Sequence, residues 1–209
     1  MNGSNKTPIG WATAIWLCAQ IAALAACADR IVFWARSPAA VEQLALGVML
    51  TAQIGVSALL FPYLLGNKGS TLLAIVTGWP MAQLAAYMAD ASRRQLLLGE
   101  LYVSCWVIGL CLFSRLLRSE WAKLIGAALA AMIALGGPLI FYLRLEFAAG
   151  GNLSHDSFSW FGPIDGALSQ ISPGGCVTAW SIPAAILIVA AALNFAELKR
   201  RDRLRQVIH

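Results

Sequence analysis

Apolar and polar positions divide this chain into long greasy runs separated by short polar breaks. Six runs stand out, at approximately 10–28, 44–65, 71–87, 96–117, 121–142 and 177–196. A helix needs about 20 apolar residues to cross a hydrocarbon core about 30 Å thick, and each run meets or nearly meets that length. None has the period-2 alternation of a membrane barrel strand. The pattern predicts an all-α polytopic membrane protein with about six transmembrane helices, all in one domain covering 1–209. The third run is the shortest and contains Gly78 and Pro80. Pro62, Pro138 and Pro183 fall in three others, and each proline removes a backbone hydrogen bond and can kink its helix.

One break is long. Residues 147–176 separate the fifth and sixth runs and are too polar to span. Inside this loop Ile164, Ala167, Leu168 and Ile171 recur at i, i+3, i+4 and i+7, one face of a helix. Pro163 suits a first helical position, and Pro173-Gly174-Gly175 is a stop signal. The spacing predicts a short helix over 163–172, about 15 Å long and half a bilayer core. Phe158, Trp160 and Phe161 precede it, and such rings favour the headgroup level. Two roles fit Phe158, Trp160, Phe161, Pro163, Ile164, Leu168 and Ile171: an interfacial anchor, or a re-entrant element gating the exoplasmic end of a pathway. Irregular backbone at membrane depth is tolerated only where protein or water covers it, so the second role requires packing against the spans.

Composition agrees with the pattern. Of 209 residues, 59% are hydrophobic and 12% charged, against about 25% charged in soluble domains. The net charge of +5 speaks first to topology. With the N-terminus inside, the cytoplasmic side holds Lys6, Lys68, Arg115, Arg118, Lys123, Lys199, Arg200, Arg201, Arg203 and Arg205. Arg30, Arg36, Arg93, Arg94 and Arg144 then lie outside. Ten against five places both termini in the cytoplasm, makes 147–176 exoplasmic and 197–209 a cytoplasmic tail, and suits a bacterial inner membrane. The "LAACAD" segment at 24–29 resembles a signal cleavage or lipidation site near Cys27. Against that reading, the run holds Trp16 and Gln20 and its apolar character continues through "IVFWA".

Candidate chemistry is sparse. Cys18, Cys27, Cys105 and Cys111 sit in apolar runs, and with Cys176 they form no C-x-x-C pair. The expectation is no catalytic set, no metal site, no cofactor and no nucleic-acid partner. Ser154-His155-Asp156 has the residue types of a triad, but triads are set by geometry and no nucleophile elbow accompanies it. The "GNKGST" segment at 66–71 lacks the lysine directly after the second glycine of a phosphate loop. Polar groups inside a span are costly and mark function or helix-to-helix hydrogen bonding. The candidates are Gln20, Gln53, Gln83 and Glu100, the last within reach of pairing with Arg93 or Arg94.

Six spans, cytoplasmic ends, a basic tail and one long outer loop with a short amphipathic helix form a layout that resembles the membrane subunit of type-2 ABC transporters. The segment 58–87, "ALLFPYLLGNKGSTLLAIVTGWPMAQLAAY", is similar to the part of that family around its coupling region. The resemblance implies short re-entrant helices in the outer loop. It also implies a homo- or hetero-oligomer in the lipid bilayer, a separate ATPase subunit, and a coupling turn at Gly66, Asn67, Lys68 and Gly69. The chain departs from the family in lacking an amphipathic elbow before the first span and in having a short coupling turn. A non-transporting membrane subunit or scaffold therefore stands as an alternative, and an intramembrane enzyme as a third.

Overall fold

The structure, a computed structural model, describes residues 10–34, 44–65, 68–147, 162–171 and 180–208. Among the described residues it is all α-helical. The helices are α1 (Gly10–Trp34), α2 (Leu44–Leu64), α3 (Lys68–Met88), α4 (Arg93–Ser114), α5 (Glu120–Phe147), α6 (Pro163–Ile171) and α7 (Ser181–Ile208). Six of them are long and apolar enough to cross a membrane, and α6 is the exception. This is a polytopic, all-α integral membrane protein whose outer helix faces meet lipid.

Helix ends depart from the apolar runs in physically simple ways. The helix α1 continues past Ala28 through "IVFW" to Trp34. The helix α7 does not stop at 196 but runs unbroken through "ELKRRDRLR" to Ile208, because Glu, Leu, Lys and Arg are all good helix formers. Its 28 residues make a rod about 42 Å long, so its basic third extends beyond a core of about 30 Å. Pro62 and Pro80 lie inside α2 and α3, which remain continuous across them. The start of α4 carries a capping box: Ser92 Oγ accepts from Gln95 N–H at 3.3 Å, and Gln95 Oε1 accepts from Ser92 N–H at 2.8 Å.

The helix α2 is the central element and packs against α1, α3, α4, α5 and α6. Its inner face is closed by Leu46, Met49, Leu50, Ile54, Phe61 and Leu64, all buried. The helix α7 lies outside, along α4. There a Cβ at Gly109 would come within 3.0 Å of Ile186 Cγ2, and Asn194 Nδ2 donates to Leu112 O at 2.8 Å. The Leu65 carbonyl, at the end of α2, is held by Thr71 Oγ1 and Ser114 Oγ, both at 3.2 Å. Contacts of this kind join the α2–α3, α4–α5 and α7 ends on one side of the bundle. Buried indole N–H groups also find acceptors: Trp16 donates to Thr77 Oγ1 and Trp106 to Ser57 Oγ, each at 3.1 Å.

Candidate functional site

The polar side chains of the spans are not scattered. Gln20, Gln53, Gly78 and Glu100 stand seven to ten residues into α1, α2, α3 and α4 respectively. At 1.5 Å per residue that is about 10–15 Å along each helix from its start. Gln53 is the hub. Its Nε2 donates to Gln20 Oε1 at 3.2 Å and to the Gly78 carbonyl at 3.1 Å. Gln20 in turn donates to Trp16 O at 3.4 Å. The Glu100 carboxyl lies beside the Gln53 amide. These side chains are sealed from outside, with Gln20 and Gln53 each 1% exposed and Glu100 2%. One oxygen on each of Gln53 and Glu100 makes no hydrogen bond among the described residues.

The helix α6 covers the core from the opposite side to the Leu65 turn. It is about 14 Å long, and Pro163, Ile164, Asp165, Gly166, Ala167, Gln170 and Ile171 are all buried. Polar and apolar faces are covered alike, by α2, α4 and α5. Small residues let it in. A Cβ at Gly47 of α2 would meet Leu168 Cδ2 at 3.0 Å, and one at Gly137 of α5 would strike Asp165 Oδ2. Gly166 faces Tyr102 of α4 so closely that any Cβ there would overlap the phenol oxygen. Tyr102 is fully buried and meets the ring of Trp180 edge-on, with centroids 5.4 Å apart. Trp180 Nε1 donates to Gln170 Oε1 at 3.1 Å. The C-terminal carbonyl of α6, Ile171 O, accepts from Gln95 Nε2 at 2.6 Å. Ile171 also packs near Gly99, next to Glu100.

The residues singled out in the sequence fall in different places. Gln20, Gln53 and Glu100 meet in the core. Gln83 does not, because it is exposed on the outward face of α3. The expected pairing of Glu100 with Arg93 or Arg94 is absent among the described residues. Both arginines are exposed at the start of α4, two helical turns or about 10 Å along the axis, where a long cationic side chain can reach the interface. Pro163, Ile164, Leu168 and Ile171 belong to α6, with Leu168 half-buried. Phe158, Trp160 and Phe161 lie outside the described residues, as do Ser154, His155 and Asp156. Lys68 and Gly69 open α3, while Gly66 and Asn67 lie outside the described residues. Sequence reasoning passed over Tyr102, Asp165 and Gln170. The signal available was a polar tip within an apolar run at Tyr102, and polar residues on both faces of the 163–172 helix.

Compared with family models, curated proteins and solved structures, the chain matches none.

Proposed function

We propose that the chain is the membrane-spanning subunit of an ABC-type transporter, moving its substrate with energy from a separate ATPase subunit and working as a homo- or hetero-oligomer. The observation that carries this reading is the buried short helix α6. A plain six-helix bundle needs no half-length helix buried among its spans. Such a helix leaves backbone ends at membrane depth, which are tolerated only under protein or water. Its place between α2, α4 and α5, over the polar core, suits a plug that must move aside for a substrate to pass. In this reading the Lys68 end of the bundle faces the cytoplasm and the ATPase, and α6 lies on the exoplasmic half.

The test is purification of the native complex in mild detergent, with identification of its partners. An ATPase is expected to copurify with the wild-type chain and to be lost, several-fold or more, in Lys68→Glu. A complex recovered without any ATPase overturns the proposal. One observation favours a second reading, a non-transporting subunit of a larger complex. Only residues 65–67 separate α2 from α3, so that turn has no room for a separate coupling helix.

A further inference from the structure

The outward face of α3 departs from the pattern of the other spans. The helix packs against α1, α2 and α4 and leaves Leu73, Val76, Pro80, Gln83, Leu84 and Tyr87 exposed. Gln83 stands out among them. Its side chain is open to the outside, and its amide makes no hydrogen bond to a described residue. Elsewhere among the described residues, no candidate span exposes an amide or a charge more than one turn from its ends.

Tyr87, four residues on, is almost fully exposed, and such rings favour the headgroup level. Gln83 then lies one turn, about 6 Å, on the lipid side of that level. Further along, Pro80 has no N–H to give the carbonyl of Val76. Val76 and Gln83 are seven residues apart, so the freed carbonyl and the amide share one stripe of the helix. Lipid tails offer neither group a hydrogen bond, and polar groups left without one in hydrocarbon are costly. The exposed positions 73, 76, 80, 83 and 87 also alternate by three and four residues, the spacing by which two membrane helices mesh side by side.

We propose that this face of α3 is where two copies of the chain meet, with Gln83 of one copy hydrogen-bonded to Gln83 of the other. Copies in one membrane share an orientation, so a two-fold axis along the membrane normal sets each residue of α3 opposite itself at equal depth. An amide suits that position. It carries donors and an acceptor together, so two like groups are complementary where two like charges would repel. Leu73, Val76, Pro80 and Tyr87 supply the apolar remainder of the seam, and Gln83 fixes its register, as a single polar residue does at a helix pair. The inference rests on the oligomeric part of the proposed function and gives it a surface and a partner. It requires no ATPase, so the two can fail separately.

Oxidative cross-linking of the full chain in its native membrane reads the contact. With the five native cysteines replaced, single cysteines are placed as Val76→Cys and Tyr87→Cys on α3. Ile125→Cys on α5 and Ile188→Cys on α7, also exposed, serve as controls. The expected result is a product of twice the chain's mass from the two α3 positions and little from the controls. Adding Gln83→Leu should lower that product several-fold, and adding Gln83→Asn, which keeps an amide, should lower it less. Because Gln83 is exposed, Gln83→Leu is expected to keep the wild-type melting temperature, so a lost cross-link would not reflect a lost fold. Equal cross-linking from all three helices, or α3 products of some other mass, would overturn the proposal. So would Gln83→Leu variants that cross-link as well as the parent. None of these outcomes bears on whether an ATPase copurifies.

Discussion

At the residue scale, this bundle depends on positions where one extra carbon has nowhere to go. Gly166 is the sharpest of these. A Cβ there would overlap the Tyr102 hydroxyl and lie 2.8 Å from Cζ of the same ring. Tyr102 is fully buried and held by Trp180, so the ring cannot simply swing away. Overpacking of a tight core costs about 1–3 kcal/mol, and Gly166→Ala is expected to fall in that range by thermal or denaturant unfolding in detergent. Tyr102→Phe removes the hydroxyl, which has no hydrogen-bond partner among the described residues. On its own it is expected to change stability little. Combined with Gly166→Ala it should recover only part of the loss, because Cζ remains too close. Full additivity of the two changes would mean that the residues do not touch in solution.

At the element scale, α6 is a helix too short to be stable alone, so its contacts must hold it. Gln95 does this while also capping α4. Its Oε1 accepts from Ser92 N–H, and its Nε2 donates to the last carbonyl of α6. The two roles separate chemically. Gln95→Glu keeps an acceptor for the capping box but has no N–H for Ile171 O, so it is expected to loosen α6 and leave α4 intact. Gln95→Ala loses both, with a further loss of about 1 kcal/mol from the cap. Hydrogen exchange checks this: amides of 164–171 should exchange faster in both variants, and those of 95–98 faster in Gln95→Ala alone. This scale also shows what the sequence makes legible. Six long apolar runs and a Pro-started short helix can be read directly, because length and period are local properties. That α6 is buried on both faces cannot be read there, because its packing depends on glycines at 47 and 137, far along the chain on α2 and α5. The polar core was half legible for the same reason. Gln20, Gln53, Gln83 and Glu100 look alike as polar residues in apolar runs, but facing inward is decided by how α3 is rotated against α2, and Gln83 lands outside. Helix ends and span ends differ where hydropathy and helix propensity part, as in α7, whose charged end is a poor span and a good helix.

At the scale of the whole molecule, charge is gathered at one end of the bundle. Arg115, Arg118, Lys123, Lys199 and Arg200 lie around the α4–α5 turn and the far part of α7, where Arg118 pairs with Glu197. The α7 helix then carries Arg201, Arg203 and Arg205 further out. The opposite end, around the α3–α4 turn, has Arg93 and Arg94 beside Asp90. Cytoplasmic segments near the membrane are enriched in Lys and Arg, and acidic residues contribute little to that rule. The basic end should therefore face the cytoplasm, which puts α6 in the exoplasmic half. Two exposed positions separate the orientations: Ser119 in the α4–α5 turn and Arg94 in the first turn of α4. With the five native cysteines first replaced, a membrane-impermeant thiol reagent should label Arg94→Cys in intact cells and Ser119→Cys only after permeabilisation. The reverse pattern would invert the molecule, turn the α6 plug toward the cytoplasm, and remove Lys68 from any contact with an ATPase. Labelling of both positions in intact cells, in a population inserted both ways, would show that the charge asymmetry is too small to set topology. In that case removing one arginine, as Arg94→Cys itself does, should visibly shift the ratio.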